Sequence, residues 1–317
     1  MDKSIGILYE HPKWFIPLFA ELDRRGVPYE KLNAPTHAYD PSHREPRYGM
    51  VVNRMSPSSW LRGAGSALFF TLNYLAYLDE IGTPVLNGHR AYRYEISKAA
   101  QCSLFAKLGL SYPRTRVIND AREACRAVEG LTFPVLVKPN VGGSGAAIES
   151  FAAPDELEHT AASGALTMGP DNTALVQEHL PAQDDAIVRI EVLGDQFLYA
   201  IRLQLTPGSF NLCPADYCRV PGMDDGVSGR GLPIEACDPP RELIDQAISL
   251  VRAAGMDLGG VEYLINARDG RPYFYDLNAL SNFVTDARNV IGFDPFVNLV
   301  DFILDRARPR ALSEISA

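Results

Sequence analysis

Apolar and polar positions change period along the chain. Ser4-Ile-Gly-Ile-Leu8 is a short apolar run of the kind that forms a buried parallel strand. Ile16, Phe19 and Leu22 then share one helical face, with Gly26 as its end. Tyr48-Gly-Met-Val-Val-Asn53 and Pro84-Val-Leu86 are further strand candidates, separated by an apolar helix over Ser66–Leu78. This alternation predicts an open α/β sheet over the first ninety or so residues. Over residues 90–109, Ile96, Ala100, Leu104 and Leu108 recur at four-residue spacing and predict one helix that Gly109 ends.

Further on, the pattern shifts towards strands. Phe133-Pro-Val-Leu-Val-Lys138 is strand-like and runs into a glycine-rich turn. Glu156–Ala165 reads as a helix and Thr173–Glu178 as a strand. Ile187–Leu205 alternates as two antiparallel strands turning at Gly194-Asp195. Pro240–Ala254 is a helix ending near Gly255, and Gly260–Ile265 and Pro272–Leu277 form a strand pair about Ala267-Arg-Asp-Gly270. An amphipathic helix, Asp294–Arg306, follows.

Composition narrows the class. A chain of 317 residues suits two or three packed subdomains, and 46% hydrophobic with 22% charged residues is globular rather than disordered. A formal charge of -9 argues against a nucleic-acid-binding face. Cys102, Cys125, Cys213, Cys218 and Cys237 form no CxxC and lack histidines at metal spacing, which predicts reduced thiols rather than disulfides or a zinc site. No signal peptide is expected from the N-terminal segment, and Ser66–Leu78 is too short for a membrane span. The expectation is a cytoplasmic protein with neither nucleic-acid nor membrane partners.

Three segments carry candidate chemistry. In Lys138-Pro-Asn-Val-Gly-Gly-Ser-Gly145, the glycines let backbone N–H groups approach an anion, Ser144 adds a hydroxyl and Lys138 a full charge. The lysine precedes the glycines, so this is not a Walker A loop, and the glycine spacing, with no early βαβ unit to carry it, is wrong for a dinucleotide fingerprint; by itself the segment also reads as a plain hairpin turn. Asp276 and Asn278 fall on one strand face, with Glu262 on the preceding strand. Two carboxylates and an amide oxygen make a hard oxygen site suited to Mg²⁺ shared with phosphates. Solvated acids on an edge strand are the alternative. The surrounding Leu264, Ile265, Tyr273, Phe274, Tyr275 and Leu277 make that costly. Val176-Gln-Glu-His-Leu180 is a strand entering a loop, with little specificity by itself.

Taken together and in this order, the chain resembles the ATP-grasp superfamily. The similarity is greatest to the branch holding the ribosomal-protein glutamate ligase, the lysine-biosynthesis ligase and glutathione synthetase. It runs from about Pro84 to Arg306 and rests on PVLNGHRAYRYEISKAAQCSLFAKLGLSYPRT, FPVLVKPNVGGSGAAI, ALVQEHLP and GGVEYLINARDGRPYFYDLN. It implies an α/β fold, α+β in its C-terminal part. An N-terminal open α/β domain (1–90) would precede a small central subdomain with the glycine-rich loop (91–180). A larger antiparallel-sheet subdomain with the metal site (181–317) would complete it.

The resemblance also implies roles. Lys98 and Lys138 would be the nucleotide lysines, and Gly142, Gly143, Ser144 and Gly145 the loop over the phosphates. Gln177, Glu178, His179 and Leu180 would be the adenine hinge, Asp185 a ribose ligand, and Glu262, Asp276 and Asn278 the Mg²⁺ ligands. Arg202 and Lys138 would face the reacting phosphate. Arg54, Arg219, Arg230, Ser281 and Arg288 are candidates for the substrate end, with Tyr217 and Phe283 on its apolar side. Two departures stand out: Asn278-Ala-Leu-Ser-Asn-Phe283 replaces a Ser-Pro-Gly-like turn, and Phe210–Cys218 replaces an arginine-asparagine stretch.

The implied activity is ATP-dependent joining of a carboxylate to an amine through an acyl phosphate, with ATP and two Mg²⁺ ions, Mn²⁺ able to substitute. The substrates would be small molecules, an amino acid or peptide among them, and a homodimer is common among similar enzymes. Two rivals stay open: an ATP-grasp phosphotransferase, and a non-catalytic ATP-binding regulatory protein.

Overall fold

A computed structural model describes residues 3–11, 13–143, 145–205 and 233–307. Ser144, Cys213, Tyr217, Cys218, Arg219 and Arg230 lie outside them.

Helices and three sheets follow one another along the chain. The first part holds β1 (Ile5–Tyr9), α1 (Ile16–Arg24), β2 (Tyr29–Asn33), β3 (Met50–Arg54), α2 (Ser66–Glu80) and β4 (Val85–Leu86). Its strands form a parallel sheet in the order β2-β1-β3-β4. Then come α3 (His89–Glu95) and α4 (Lys98–Lys107). The central part holds β5 (Thr115–Ile118), α5 (Ala124–Ala127), β6 (Val135–Pro139), β7 (Glu149–Phe151), α6 (Pro154–Ser163) and β8 (Ala174–Glu178), an antiparallel sheet ordered β5-β8-β6-β7. The last part holds β9 (Ala186–Leu193), β10 (Gln196–Gln204), β11 (Ile234–Ala236), α7 (Arg241–Ala254), β12 (Leu258–Ile265), β13 (Pro272–Asn278), α8 (Ala287–Val290) and α9 (Pro295–Arg306). Its sheet is antiparallel, ordered β11-β10-β9-β12-β13.

Strand parity gives this last sheet two separate cores. Ile187, Tyr199, Ile201 and Leu203 pack with β1, α1 and α9 in one cluster. Ile190, Val192, Ala200, Val261 and Tyr263 point to the other face and pack with α7 and α4. Period-two side-chain direction makes each face apolar, so the sheet is covered on both sides. Among the described residues, no helix is long and apolar enough to cross a membrane.

The helix expected over 90–109 is two. It breaks at Ile96-Ser97, because Ser97 takes an extended backbone and caps α4, accepting from the Ala100 N–H at 3.2 Å. The break also docks the central sheet. Asn140 accepts at its carbonyl from the Lys98 N–H at 3.2 Å and at its Oδ1 from the Ala99 N–H at 2.9 Å. A four-residue apolar spacing cannot distinguish one long helix from two sharing a buried face.

Candidate active site

A cavity of about 460 Å³ lies between the central sheet and the last sheet, with the loops after β1 and β3 at one end. Lys98, Lys138, Gly142, Gly143, Gly145, Gln177, Glu178, His179, Leu180, Asp185, Glu262, Asp276 and Asn278 all line it. These residues come from α4, from β6 and the turn after it, from the end of β8 and from β12 and β13.

The floor follows from strand register. Glu262 on β12 pairs with Asp276 on β13 and with Arg189 on β9, and Gly260 pairs with Asn278 and Glu191. Arg189, Glu262 and Asp276 therefore stand side by side on one face, with Glu191 and Asn278 in the next row. Glycine at 260 is required there, because a methyl group would run into the Arg189 guanidinium. Through that gap Arg189 reaches two carboxylates, donating Nε to Glu191 at 2.6 Å and Nη1 to Glu262 at 2.8 Å. Ser281 Oγ adds a donor to Glu191 at 2.8 Å.

The opposite wall is cationic. Lys98 Nζ lies 2.5 Å from Asp276 Oδ1. Burial works against charge on both groups, but the contact outweighs it: Lys98 sits above its ordinary value and Asp276, also facing Lys138 and Arg189, below its own. Lys138 has no ion-pair partner among the described residues. Burial, and then the neighbouring Lys98 charge, bring it down to about 8. Burial pushes Glu262 up despite Arg189. Glu95, at the end of α3, accepts from the Ala279 and Leu280 N–H groups, yet burial raises it to about 7.

The glycine turn closes one edge. Gly143 lies close to Pro57 and Ser58 in a short 3-10 turn after β3, where an added Cβ would come 3.3 Å from Ser58 and 3.6 Å from Pro57, and Gly145 takes φ 67°, a region open to glycine at no steric cost. At the end of β8, the Glu178 N–H donates to Arg114 O and the His179 N–H to Pro134 O, both at 2.9 Å, which ties this segment to its neighbours.

Several residues expected at the site lie elsewhere. Arg202 pairs in register with Val188, one position out of phase with Arg189, and so faces α7 rather than the cavity. Its side chain is 43% exposed and meets Asp184 at 3.7 Å. Arg54 is 1% exposed behind the cavity wall, donating Nη2 to the Ser281 carbonyl, with its guanidinium over the Phe15 ring. Ser281 and Phe283 are fully buried, Ser281 turned towards Glu191. Arg288 is 77% exposed beside Asp294. The lining end near the first sheet is instead Trp14, Ser56, Pro57, Leu280 and Asn282. Arg189, Glu191 and Glu95 were not singled out from sequence. The available signal was an arginine and a glutamate two apart in the otherwise apolar strand IVRIEV.

The donor set of Glu262, Asp276 and Asn278 is all oxygen and shares one face of the paired strands β12 and β13, which fits Mg²⁺ rather than a softer ion. Glu262 and Asp276 supply only two carboxylates, so the remaining oxygens of an octahedral Mg²⁺ would come from Asn278, water or a bound ligand. Among the described residues, no group of three or more His, Cys, Asp or Glu is placed to hold a metal by itself.

A model of the RimK-like ATP-grasp domain matches residues 96–215. The large chain of carbamoyl phosphate synthase from Archaeoglobus fulgidus is 25% identical over 244 residues, covering 72% of this chain and 21% of that one. The chain thus spans about a fifth of the length of that relative. Among solved structures, the ATP-grasp ligase PsnB, complexed with a phosphomimetic variant of its minimal precursor, Mg and ADP, superposes with TM-score 0.67 at 21% identity. It covers 97% of this chain and 100% of its own. D-cycloserine synthetase DcsG superposes with TM-score 0.68 at 18% identity, covering 96% and 100%. The chain has the ATP-grasp fold.

Proposed function

We propose that this ATP-grasp chain is an ATP-dependent carboxylate–amine ligase that releases ADP and phosphate. The observation that supports it best is the single cavity walled by Lys98 and Lys138 on one side and by Glu262, Asp276 and Asn278 on the other. Two cations beside a set of hard oxygen ligands in one cavity suit a polyphosphate with its divalent ion.

In this reading Gln177–Leu180 hold the adenine and Asp185 the ribose. Lys98, Lys138 and the N–H groups of the glycine turn hold the phosphates. Mg²⁺ held by Glu262, Asp276 and Asn278, as one or two ions and with Mn²⁺ as a substitute, would supply charge neutralisation at the β- and γ-phosphates. A substrate carboxylate oxygen attacks the γ-phosphorus, the bond to the β–γ bridging oxygen breaks, and ADP leaves. An amine nitrogen then attacks the acyl carbon, the carbon–oxygen bond to phosphate breaks, and the amine gives up a proton. Positioning and electrostatics do most of this work. The glycine turn, resting on Pro57 and Ser58, keeps water from the acyl phosphate.

The described substrate end is neutral and partly aromatic, with Trp14, Ser56, Pro57, Leu280 and Asn282. It suits small carboxylate and amine substrates, an amino acid or short peptide among them. A cytoplasmic location and a homodimer belong to the same proposal. PsnB, similar in fold, is an ATP-grasp ligase whose structure is also known in complex with a precursor peptide, which favours testing peptides as well as free amino acids.

The test is ADP release screened over pairs of amino acids and peptides, with hydroxylamine as a trap. A ligase yields a hydroxamate and an amide product of matching mass. ADP release with a phosphorylated hydroxyl product and no hydroxamate would replace this reading with a phosphotransferase. Nucleotide binding without any turnover across the screen would leave the regulatory alternative.

A further inference from the structure

Both carboxylates read above as Mg²⁺ ligands are engaged by protein cations. Glu262 Oε1 accepts from Arg189 Nη1 at 2.8 Å and Asp276 Oδ1 from Lys98 Nζ at 2.5 Å. The third member, Asn278, turns its Nδ2 towards Asp276 Oδ2 at 3.3 Å. The two cations are not equivalent. Arg189 is held at two points, by Glu191 and Glu262, with its flat guanidinium filling the space over Gly260. Lys98 makes one ion pair among the described residues, through a flexible four-carbon stem whose donors rotate freely.

Helix energetics give Lys98 no reason to be where it is. It is the first residue of α4, where a positive charge opposes the helix dipole. Its ammonium is also near that of Lys138, a cation that has no ion pair among the described residues. What holds it is Asp276. Pulling Lys98 away would leave the mostly buried Asp276 without its ion-pair partner, and a divalent ion displacing it would leave two neighbouring ammonium groups with no ion pair among the described residues. A triphosphate removes both costs: its oxygens take the ammonium groups, and a divalent ion arriving with it takes Asp276.

We propose that Lys98 is a resident counter-ion of Asp276 that gives up its place only to a polyphosphate, so that nucleotide and divalent cation enter as one coupled event and the metal alone is refused. This rests on the reading of Asp276 as a metal ligand. The coupling is reciprocal: whatever the nucleotide adds to metal affinity, the metal adds to nucleotide affinity.

The test uses the full chain without nucleotide, titrated with Mn²⁺ and followed by electron paramagnetic resonance of the free ion. The non-hydrolysable analogue AMP-PNP is titrated separately by calorimetry with Mn²⁺ present. Wild type should take Mn²⁺ alone weakly. Lys98→Met should take it at least tenfold more tightly, while binding AMP-PNP at least tenfold more weakly. Adding Asp276→Asn to Lys98→Met should abolish the gain. Equal Mn²⁺ affinity in wild type and Lys98→Met, or a gain that survives Asp276→Asn, overturns the proposal. Circular dichroism checks folding, and Lys98→Gln repeats the comparison should the methionine variant not fold. The two readings fail separately. A wild type that forms hydroxamate while Lys98→Met gains no Mn²⁺ affinity keeps the ligase and loses the counter-ion. A Mn²⁺ gain in a chain that forms no hydroxamate does the reverse.

Discussion

Replacing Lys138 by methionine should make the nucleotide-free protein more stable and its nucleotide binding worse. The side chain is 5% exposed, and its ammonium falls from 10.5 to about 8 because of burial and the neighbouring Lys98 charge. That depression corresponds to about 3 kcal/mol of folding free energy withheld while Lys138 is charged. For a base whose folded value is lowered, the cost is present in full below pH 8, fades between 8 and 10.5 and is gone above. Methionine has a similar length and carries no charge, so Lys138→Met should stabilise by about 1–3 kcal/mol at pH 7, the lower figure allowing for imperfect packing. Under the proposed nucleotide reading, the same change removes a charge-assisted contact to phosphate, worth about 1.5–3 kcal/mol, or roughly 10- to 150-fold in affinity. Urea unfolding of both proteins without nucleotide, at pH 7 and pH 10, measures the first effect. Calorimetric titration with AMP-PNP and Mg²⁺ at pH 7 measures the second. The stability gap should shrink sharply by pH 10, where the wild-type lysine is already losing its proton in the unfolded chain too. A variant less stable than wild type at pH 7, a gap unchanged at pH 10, or undiminished nucleotide affinity would each refute the reasoning.

Other perturbations test separate parts of the argument. Asp276→Asn removes one of two facing carboxylates and strands Lys98, so ADP release should fall at least 100-fold with the far-ultraviolet spectrum unchanged; undiminished turnover would count against the metal reading. Gly260→Ala drives a methyl into the Arg189 guanidinium, and should raise the Mg²⁺ concentration needed for half-maximal ADP release several-fold and lower the melting temperature. Asn87→Gly keeps the backbone at φ 54° accessible but deletes donors to Leu258 O and Ala279 O and acceptors for the Asp257 and Leu258 N–H groups. Leaving those groups unpaired in a buried seam should cost about 2–4 kcal/mol in chemical denaturation.

What could be read from the chain alone is what depends on near neighbours in sequence. A strand shows itself by its period, a glycine-rich turn by the freedom its backbone needs, and Asp276 and Asn278 share a face because they are two apart on one strand. Lys138 leads into its glycines for the same local reason. The tertiary structure decided whatever depends on register or on which copy of a pattern is buried. Lys98 meets Asp276 across 178 positions of sequence, and Arg189 meets Glu262 across 73. Arg202, one residue out of phase with that row, faces the other side of the sheet. Arg54 carries the same charge as a surface arginine, yet ends sealed behind the cavity wall. The helix over 90–109 splits because Ser97 and Asn140, far apart in sequence, satisfy the orphan N–H groups at the start of α4. Period specifies which face of an element is apolar; only packing specifies what that face, or the polar one opposite it, will touch.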